Sequence, residues 1–142
     1  MKKCSDVMTE EVVTCSPEDS IIEVAQLMKN EDIGPVLIVD NDDSNTLIGI
    51  ITDRDIVLKV IADGQDPKTT RVGEAMSKKL VTCRPDDDVE VAMKAMAQYQ
   101  LRRIPVVDDN MKLVGIISQA DLATRVDAPE KTAEVVKEIS EP

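Results

Sequence analysis

The sequence lacks most of the residues with which catalytic and metal sites are usually built. Its 142 residues include no histidine, no tryptophan and no phenylalanine, and Tyr99 is the single aromatic side chain. Without histidine or CxxC spacing, Cys4, Cys15 and Cys83 do not form a zinc motif, and we expect them to be small apolar residues of a reduced protein. GxSxG and GxxxxGK motifs are also absent. We therefore predict that the chain is not an enzyme and requires no metal or cofactor.

Positive charge is scarce as well, because 17 lysines and arginines stand against 28 acidic residues and leave a net charge of −11. Such a chain repels nucleic-acid phosphates and anionic membranes, and a single aromatic ring leaves little for stacking bases. An apolar run of about 18 residues, which a membrane span needs, is missing. The hydrophobic content of 42% suits a globular core. The expectation is a cytoplasmic protein whose partners include neither nucleic acid nor membrane.

The sequence does contain an internal repeat. A shift of 68 residues places VVTCSPEDSIIEVAQLM (12 to 28) on LVTCRPDDDVEVAMKAM (80 to 96). After a two-residue difference in a turn, LIGIITDRDI (47 to 56) lies on LVGIISQADL (113 to 122). The chain is therefore predicted to contain two copies of one structural unit.

Both copies predict the same order of elements, which is strand, helix, strand, strand, helix. A proline followed by acidic residues is expected to start the first helix, and apolar residues then recur at i, i+3, i+4 and i+7. The runs at 36 to 39 and 104 to 107 predict buried strands, each joined by a turn to LIGII or LVGII as a hairpin. The second helices are predicted over about 54 to 63 and 120 to 126. The fold class is therefore α+β, an α/β sandwich of two tandem β-α-β-β-α repeats.

The polar segment from Asp63 to Pro67 is the natural linker between the copies. The predicted boundaries are residues 1–66 for the first repeat, 67–128 for the second and 129–142 for a C-terminal tail. Within the tail, AEVVKEI (133 to 139) predicts a short amphipathic helix.

Each repeat carries a hydroxyl and a carboxylate three residues apart after a GII sequence, as Thr52 with Asp55 and as Ser118 with Asp121. A hydroxyl where a helix begins, with free backbone N–H groups nearby, suits a phosphate, and the aspartate can accept the hydroxyls of a ribose. The alternative is that these residues are ordinary helix caps. Because both copies carry the pattern, we favour ligand binding, which can coexist with capping.

Three arginines are the expected partners of a phosphate in this acidic chain. Arg102 and Arg103 directly precede a predicted strand, and Arg54 lies at a predicted helix start. The first copy has Gly34 and Pro35 where the second has the adjacent arginines. The two ligand sites are therefore predicted to differ in affinity.

The ordered motifs resemble a paired cystathionine-β-synthase (CBS) domain, or Bateman module, in its stand-alone bacterial form, over residues 4 to 126. The likeness is carried by five segments, which are VMT (7–9), AMS (75–77), GIITDRDI (49–56), RRIPVVD (102–108) and GIISQADL (115–122). It implies two repeats about a pseudo-two-fold axis, ligands such as AMP, ADP, ATP or S-adenosylmethionine in the cleft between them, and a homodimer.

The resemblance assigns the phosphate and ribose roles to the hydroxyl and aspartate pairs named above. It also places Thr14 and Thr82 in the stretch that lines an adenine pocket, largely through backbone groups. Without aromatic rings, a base is expected between aliphatic side chains, for which Ile33, Ile104 and Pro105 are the candidates. The leading hypothesis is a regulatory sensor of an adenine nucleotide that acts on an unidentified protein. The alternatives are a dimerisation scaffold with vestigial clefts and, least favoured by the charge, a regulator linked to nucleic acid.

Overall fold

The computed structural model describes residues 2–41, 43–125 and 139. The helices and strands in this part of the chain, in order, are α1 (Cys4–Val7), β1 (Thr14–Cys15), α2 (Ile21–Glu31), β2 (Val36–Val39), β3 (Leu47–Ile51), α3 (Asp53–Ile56), α4 (Val72–Ala75), α5 (Val89–Tyr99), β4 (Arg103–Val107), β5 (Leu113–Ser118) and α6 (Gln119–Arg125). This mixture of helices and short strands confirms the predicted α+β class.

The chain divides into two compact units whose limits differ from those of the sequence repeats. One unit combines Met1–Val12 with Val81–Pro142 and is called the split unit; the other, Val13–Leu80, is called the continuous unit. The split unit therefore contains α1, which precedes the first repeat in sequence, whereas the continuous unit contains α4, which precedes the second. Each short leading helix thus packs with the repeat that it does not precede.

The predicted hairpins are present in both units. In the continuous unit β2 pairs antiparallel with β3, and β1 adds to β2 in parallel. In the split unit β4 pairs antiparallel with β5, and Cys83 forms an isolated parallel bridge with Val106. The register shifts at Val39 in one hairpin and at Val107 in the other, so each hairpin has its irregularity at the same place.

The long helices α2 and α5 begin later than the sequence suggested. Ser20 and Asp88 are the N-cap residues, so Pro17 and Pro85 lie before the helices and not in their first turns. The reason is that the following acids close a turn of their own. Asp19 Oδ2 accepts a hydrogen bond from the Ser16 backbone N–H at 2.9 Å, and Asp87 Oδ2 accepts one from Arg84 at the same distance.

The second helix of each repeat begins directly after its hydroxyl residue, Thr52 or Ser118, as predicted. The helix α3 is a single turn that continues as a π-helix from Val57 to Ile61, with the Ala62 N–H donating to the Val57 carbonyl at 2.8 Å. The corresponding α6 is a regular α-helix through Arg125. The prediction of a helix over 133 to 139 lies outside the described residues except for Ile139, which is buried in the core of the split unit.

Each unit has a core of its own. The apolar faces of α2 and α5 are buried as predicted, through Ile21, Val24 and Met28 in one and Val89, Ala92, Met93 and Met96 in the other. All three cysteines are buried with them. Among residues 2–41 and 43–125, no helix is long and apolar enough to cross a membrane.

Candidate ligand sites at the strand ends

In the continuous unit, Thr52 and Asp55 form a reciprocal cap at the end of β3. The Asp55 backbone N–H donates to Thr52 Oγ1 at 3.1 Å, and the Thr52 N–H donates to Asp55 Oδ2 at 3.0 Å. This is a capping box, so the structural role that the sequence left open is present. The Thr52 hydroxyl accepts in this box and still carries a hydrogen that it can donate to a phosphate oxygen.

The split unit repeats this arrangement with Ser118 and Asp121. The Asp121 N–H donates to Ser118 Oγ at 3.2 Å, and the Ser118 N–H donates to Asp121 Oδ2 at 2.9 Å. The second carboxylate oxygen is also engaged, because Thr9 Oγ1 donates to Asp121 Oδ1 at 3.1 Å and the Arg125 guanidinium lies 3.7 Å from it. Asp121 is consequently buried, with 7% of its surface exposed.

Asp55 is held less tightly than Asp121. Its Oδ1 lies 3.4 Å from Lys59 Nζ, which also donates to the Ala75 carbonyl at 3.3 Å. The side chain of Asp55 is 20% exposed, against 10% for that of Asp121. A ribose would therefore displace an ion pair with the exposed Lys59 at Asp55, whereas at Asp121 it would compete with the hydroxyl of the half-buried Thr9.

Arg103 and Ser118 are brought together by the β4–β5 register. They are directly opposite each other across the hairpin, and side chains so placed lie on the same face of the ribbon. Arg102 is next to them, since its carbonyl accepts a hydrogen bond from the Gln119 N–H at 3.1 Å. Both arginines are exposed. This end of the split unit thus offers two guanidinium groups and a hydroxyl, which suits an anion.

The corresponding end of the continuous unit has a different charge. Val36 pairs with Ile51, so Pro35 and Thr52 are the next residues of the two strands, and Pro35 takes the place of Arg103. A Cβ atom added at Gly34 would lie 3.3 Å from Asp53 Oδ1, so a carboxylate lies where the other unit has Arg102. Arg54 is exposed in the first turn of α3, and its backbone N–H donates to the same Asp53 oxygen at 3.0 Å.

The aliphatic candidates for a base divide into half-buried and buried residues. Ile33 is half-buried at the edge of its core. Ile104 and Pro105 are buried within β4, and Ile104 has no exposed surface at all. Ile104 belongs to the core of the split unit, whereas Pro105, although buried, lies on the opposite face of β4. Contact of these two residues with a base stays a prediction. The residue equivalent to Ile33 is Leu101, which is also half-buried beside its core.

The backbone around Ile33 and Leu101 supports that equivalence. The Ile33 N–H donates to the Met28 carbonyl at 3.0 Å, and the Leu101 N–H donates to Met96 at 2.8 Å. The 68-residue shift was the signal that could have identified Leu101. Thr14 lies in β1 opposite Leu37, and Thr82 directly precedes the Cys83 bridge; both threonines are half-buried.

Two further polar residues near Ser118 were not among the predicted site residues. Thr9 is far from Asp121 in sequence, and only its antiparallel bridge to Ile116 brings its hydroxyl to the carboxylate. Gln119 has a buried amide nitrogen, Nε2, without a hydrogen-bond partner among the described residues. The position of neither side chain has a local sequence signal. Among all the residues that the structure describes, no group of three or more acidic or cysteine side chains is arranged to hold a metal.

The comparisons with known proteins agree with this duplicated architecture. The family model of the CBS domain matches twice, over residues 4–62 and 72–128. The chain is 41% identical over 140 residues to the CBS domain-containing protein YhcV of Bacillus subtilis, covering 99% of this chain and 96% of that protein.

Two solved structures are similar over most of their length. The structure of Hypoxic Response Protein I with two coordinated zinc ions has a TM-score of 0.77 and 32% identity, covering 89% of this chain and all of that one. The CBS domain pair of protein MJ0100, in complex with 5′-methylthioadenosine and S-adenosyl-L-methionine, has a TM-score of 0.70 and 29% identity, covering 86% and 93%.

Proposed function

Because the chain belongs to the CBS domain family, we propose that it is a regulatory module that binds AMP, ADP, ATP or a related adenosyl ligand. The observation that carries the proposal is the duplicated pair of hydroxyl and aspartate at the end of β3 and of β5. The adenosyl compounds bound to the similar MJ0100 domain pair support this ligand class. In this proposal the chain catalyses no reaction and controls a partner protein in the cytoplasm.

The split unit is proposed to hold the phosphate. Ser118 can donate its hydroxyl hydrogen, and Arg103 lies opposite it with Arg102 alongside. Hydrogen bonds between guanidinium and phosphate are among the stronger polar contacts in proteins. In the continuous unit, the exposed Asp53 carboxylate would repel a phosphate near Thr52. The two sites therefore differ in affinity for any phosphorylated ligand.

The remaining roles follow from exposure. In the continuous unit the half-buried Ile33 can contact a base with apolar surface, and the backbone around Thr14 can supply hydrogen bonds. In the split unit Leu101 and the backbone around Thr82 can do the same. Asp55 and Asp121 can accept ribose hydroxyls once their present contacts are exchanged. A ligand that makes this exchange favours the conformation in which the aspartate contacts the ribose over the conformation in which it keeps its present contacts. Such a difference in affinity is the physical requirement for a regulatory response.

Thermal melting with AMP, ADP, ATP, S-adenosylmethionine and NAD tests this function. A ligand at 100 times its Kd stabilises a one-site protein by about 2.7 kcal/mol, which is readily measured as a rise in the melting temperature. We expect a rise with at least one adenine nucleotide and none with guanosine or cytidine triphosphate as matched controls. Equal shifts with all triphosphates, or no shift with any compound at millimolar concentration, would overturn the proposal.

The variants Asp55→Asn and Asp121→Asn assign the ribose, because they keep the size of each side chain and remove its charge. Binding is expected to weaken in at least one of them. If neither variant changes the affinity, the ribose assignment is wrong even where the nucleotide binds.

A dimerisation scaffold is the second candidate, and the surface of the π-helix favours it. Val57, Leu58 and Ile61 are 55%, 49% and 55% exposed, although all three are large apolar residues. Adjacent exposed apolar side chains of this kind commonly mark an association surface. Sedimentation of the parent chain and of Leu58→Glu tests it. A dimer that the substitution dissociates, together with no response to any nucleotide, would favour the scaffold over the sensor.

A further inference from the structure

Cys4 and Cys83 are distant in sequence but belong to the same buried core. Cys4 lies in α1 and is fully buried, and Cys83 lies in the strand-like segment before α5 and is 2% exposed. Both residues are in the split unit. The fold therefore places two thiols from opposite ends of a loop of about 80 residues in one apolar environment.

Backbone hydrogen bonds hold the two segments side by side. The Cys4 N–H donates to the Asp87 carbonyl at 2.9 Å, and the Ser5 N–H donates to the Pro85 carbonyl at 3.0 Å. The Cys4 thiol lies 3.9 Å from the Asp88 carbonyl oxygen, and the Cys83 thiol lies 3.8 Å from that of Pro105.

The two thiols belong to one core cluster and influence each other's ionisation. The neighbouring Cys83 side chain lowers the pKa of Cys4, and the Cys4 side chain, together with burial, raises the pKa of Cys83. Cys4 is therefore the member of the pair that ionises first, and a thiolate is the form that reacts with oxidants. By contrast, burial raises the pKa of Cys15 to about 12.

The other repeat supplies an internal control. Cys15 is the repeat equivalent of Cys83, and the residue equivalent to Cys4 is Val72, which is fully buried in α4. Both α1 and α4 begin in the same way, because the N-cap backbone N–H of Lys3 donates to the Asp6 carboxylate and that of Arg71 to the Glu74 carboxylate. The continuous unit thus has one thiol and one valine where the split unit has two thiols, so only the split unit can form a cross-link at this position.

We propose that Cys4 and Cys83 are an oxidisable pair that a peroxide converts to an intramolecular disulfide, tying α1 covalently to the second repeat. The Cys4 thiolate attacks one oxygen of hydrogen peroxide, the O–O bond breaks, and Cys4 becomes a sulfenic acid. The hydroxide that leaves takes up the proton released by the Cys4 thiol and becomes water. The Cys83 thiol then attacks that sulfur, the S–S bond forms, and a second water leaves. Two S–H bonds are lost and two electrons pass to the peroxide, so the reaction balances.

Peptide mapping of the full chain before and after treatment with hydrogen peroxide tests the pair. We expect a Cys4–Cys83 cross-link with loss of two hydrogens, a free Cys15, and a rise of roughly 10 °C in the melting temperature. Reduction should reverse both changes. Because the thiols are buried, a second sample is oxidised while it refolds from denaturant, when both are accessible.

Matched variants come from the repeat itself. Cys4→Val copies the buried valine of the other unit and should abolish the cross-link while the chain stays folded, whereas Cys15→Val should leave the cross-link intact. Val72→Cys should add a second disulfide with Cys15. If the parent chain keeps three free thiols in both samples, or if Cys15 forms cross-links as often as Cys4 and Cys83 do, the proposal is wrong.

Discussion

The split and continuous units share one backbone plan and differ in the charges they place on it. Both have a capping box at the end of the hairpin and a bulge at the same strand position. At the strand end, however, one unit has Arg103 opposite Ser118 and the other has Pro35 next to Thr52. The hydrogen bonds that make the fold are therefore duplicated, whereas the groups that would meet an anion are not.

The segments that lead into the two repeats, residues 4–9 in the split unit and 72–77 in the continuous unit, show the same contrast. Met8 and Met76 each pack on a glycine of a hairpin, and Thr9 and Ser77 each form a bridge to the strand beside it. Only Thr9 also donates its hydroxyl to the cap aspartate, since Ser77 Oγ instead accepts from the Lys79 N–H at 3.4 Å. The split unit thus couples its leading segment to its candidate site by a side-chain contact.

The largest effect is expected from alanine at the two hairpin glycines. A methyl group at Gly115 would lie 2.6 Å from Met8 Sδ and 3.0 Å from the Thr9 carbonyl oxygen; at Gly49 the corresponding distances, to Met76 and Ser77, are 2.9 and 3.0 Å. We expect Gly115→Ala to lower the free energy of unfolding by about 2–3 kcal/mol and Gly49→Ala by about 1–2 kcal/mol. Urea unfolding measures both.

Gly64→Ala is the control for these two substitutions. Gly64 has a φ of 72° and no atom within 4 Å of an added methyl, so only backbone strain remains, worth about 1 kcal/mol. A loss at Gly115 no larger than that at Gly64 would contradict close packing of the leading segment.

An intermediate effect is expected from removal of the Thr9 hydroxyl that donates to Asp121. Thr9→Val keeps the shape of the side chain and leaves a buried carboxylate oxygen without its donor, for a loss of about 1–2 kcal/mol. Ser77→Ala in the other unit should change stability by less than about 0.5 kcal/mol. Equal losses in the two variants, measured in the same urea titration, would show that the units do not differ in this contact.

The features predicted from sequence were those with local causes. The hairpins follow from runs of β-branched residues around a turn, and Thr52 and Ser118 were recognisable as residues where a helix begins. The start of α2 was misplaced because Pro17 and Asp19 suit a helix and a turn equally well, and the turn contact at Ser16 decided it. The contact between Thr9 and Asp121 could not be predicted, since it depends on the chain returning after 112 residues.

The burial of Ile104 marks the same limit from another side. The sequence predicted a buried strand over 104 to 107 but not which of its side chains belong to the core, and Ile104 is one that does. The 68-residue shift carried more information than the aliphatic character did, because it relates Ile33 to Leu101 through their shared helix-end hydrogen bonds.

The smallest effect is expected at the ends of the long helices. Asp32 and Gln100 both have a φ of 54°, a conformation that glycine adopts without strain. Gln100→Gly should stabilise the chain by about 0.5–1 kcal/mol, and Asp32→Gly by less, because aspartate tolerates this conformation better than glutamine does. Melting temperatures of the two variants compare them. A lower melting temperature for Gln100→Gly would contradict the expectation.

The central claim is that the split unit holds the phosphate, and calorimetric titration with ATP of the parent chain, Arg103→Ala and Arg54→Ala tests it most directly. Both arginines are exposed, so their removal should leave the fold intact. We expect unequal sites in the parent chain, with the tighter one weakened about tenfold or more by Arg103→Ala and much less by Arg54→Ala. Two equal and independent sites, no binding, or a loss confined to Arg54→Ala would contradict it.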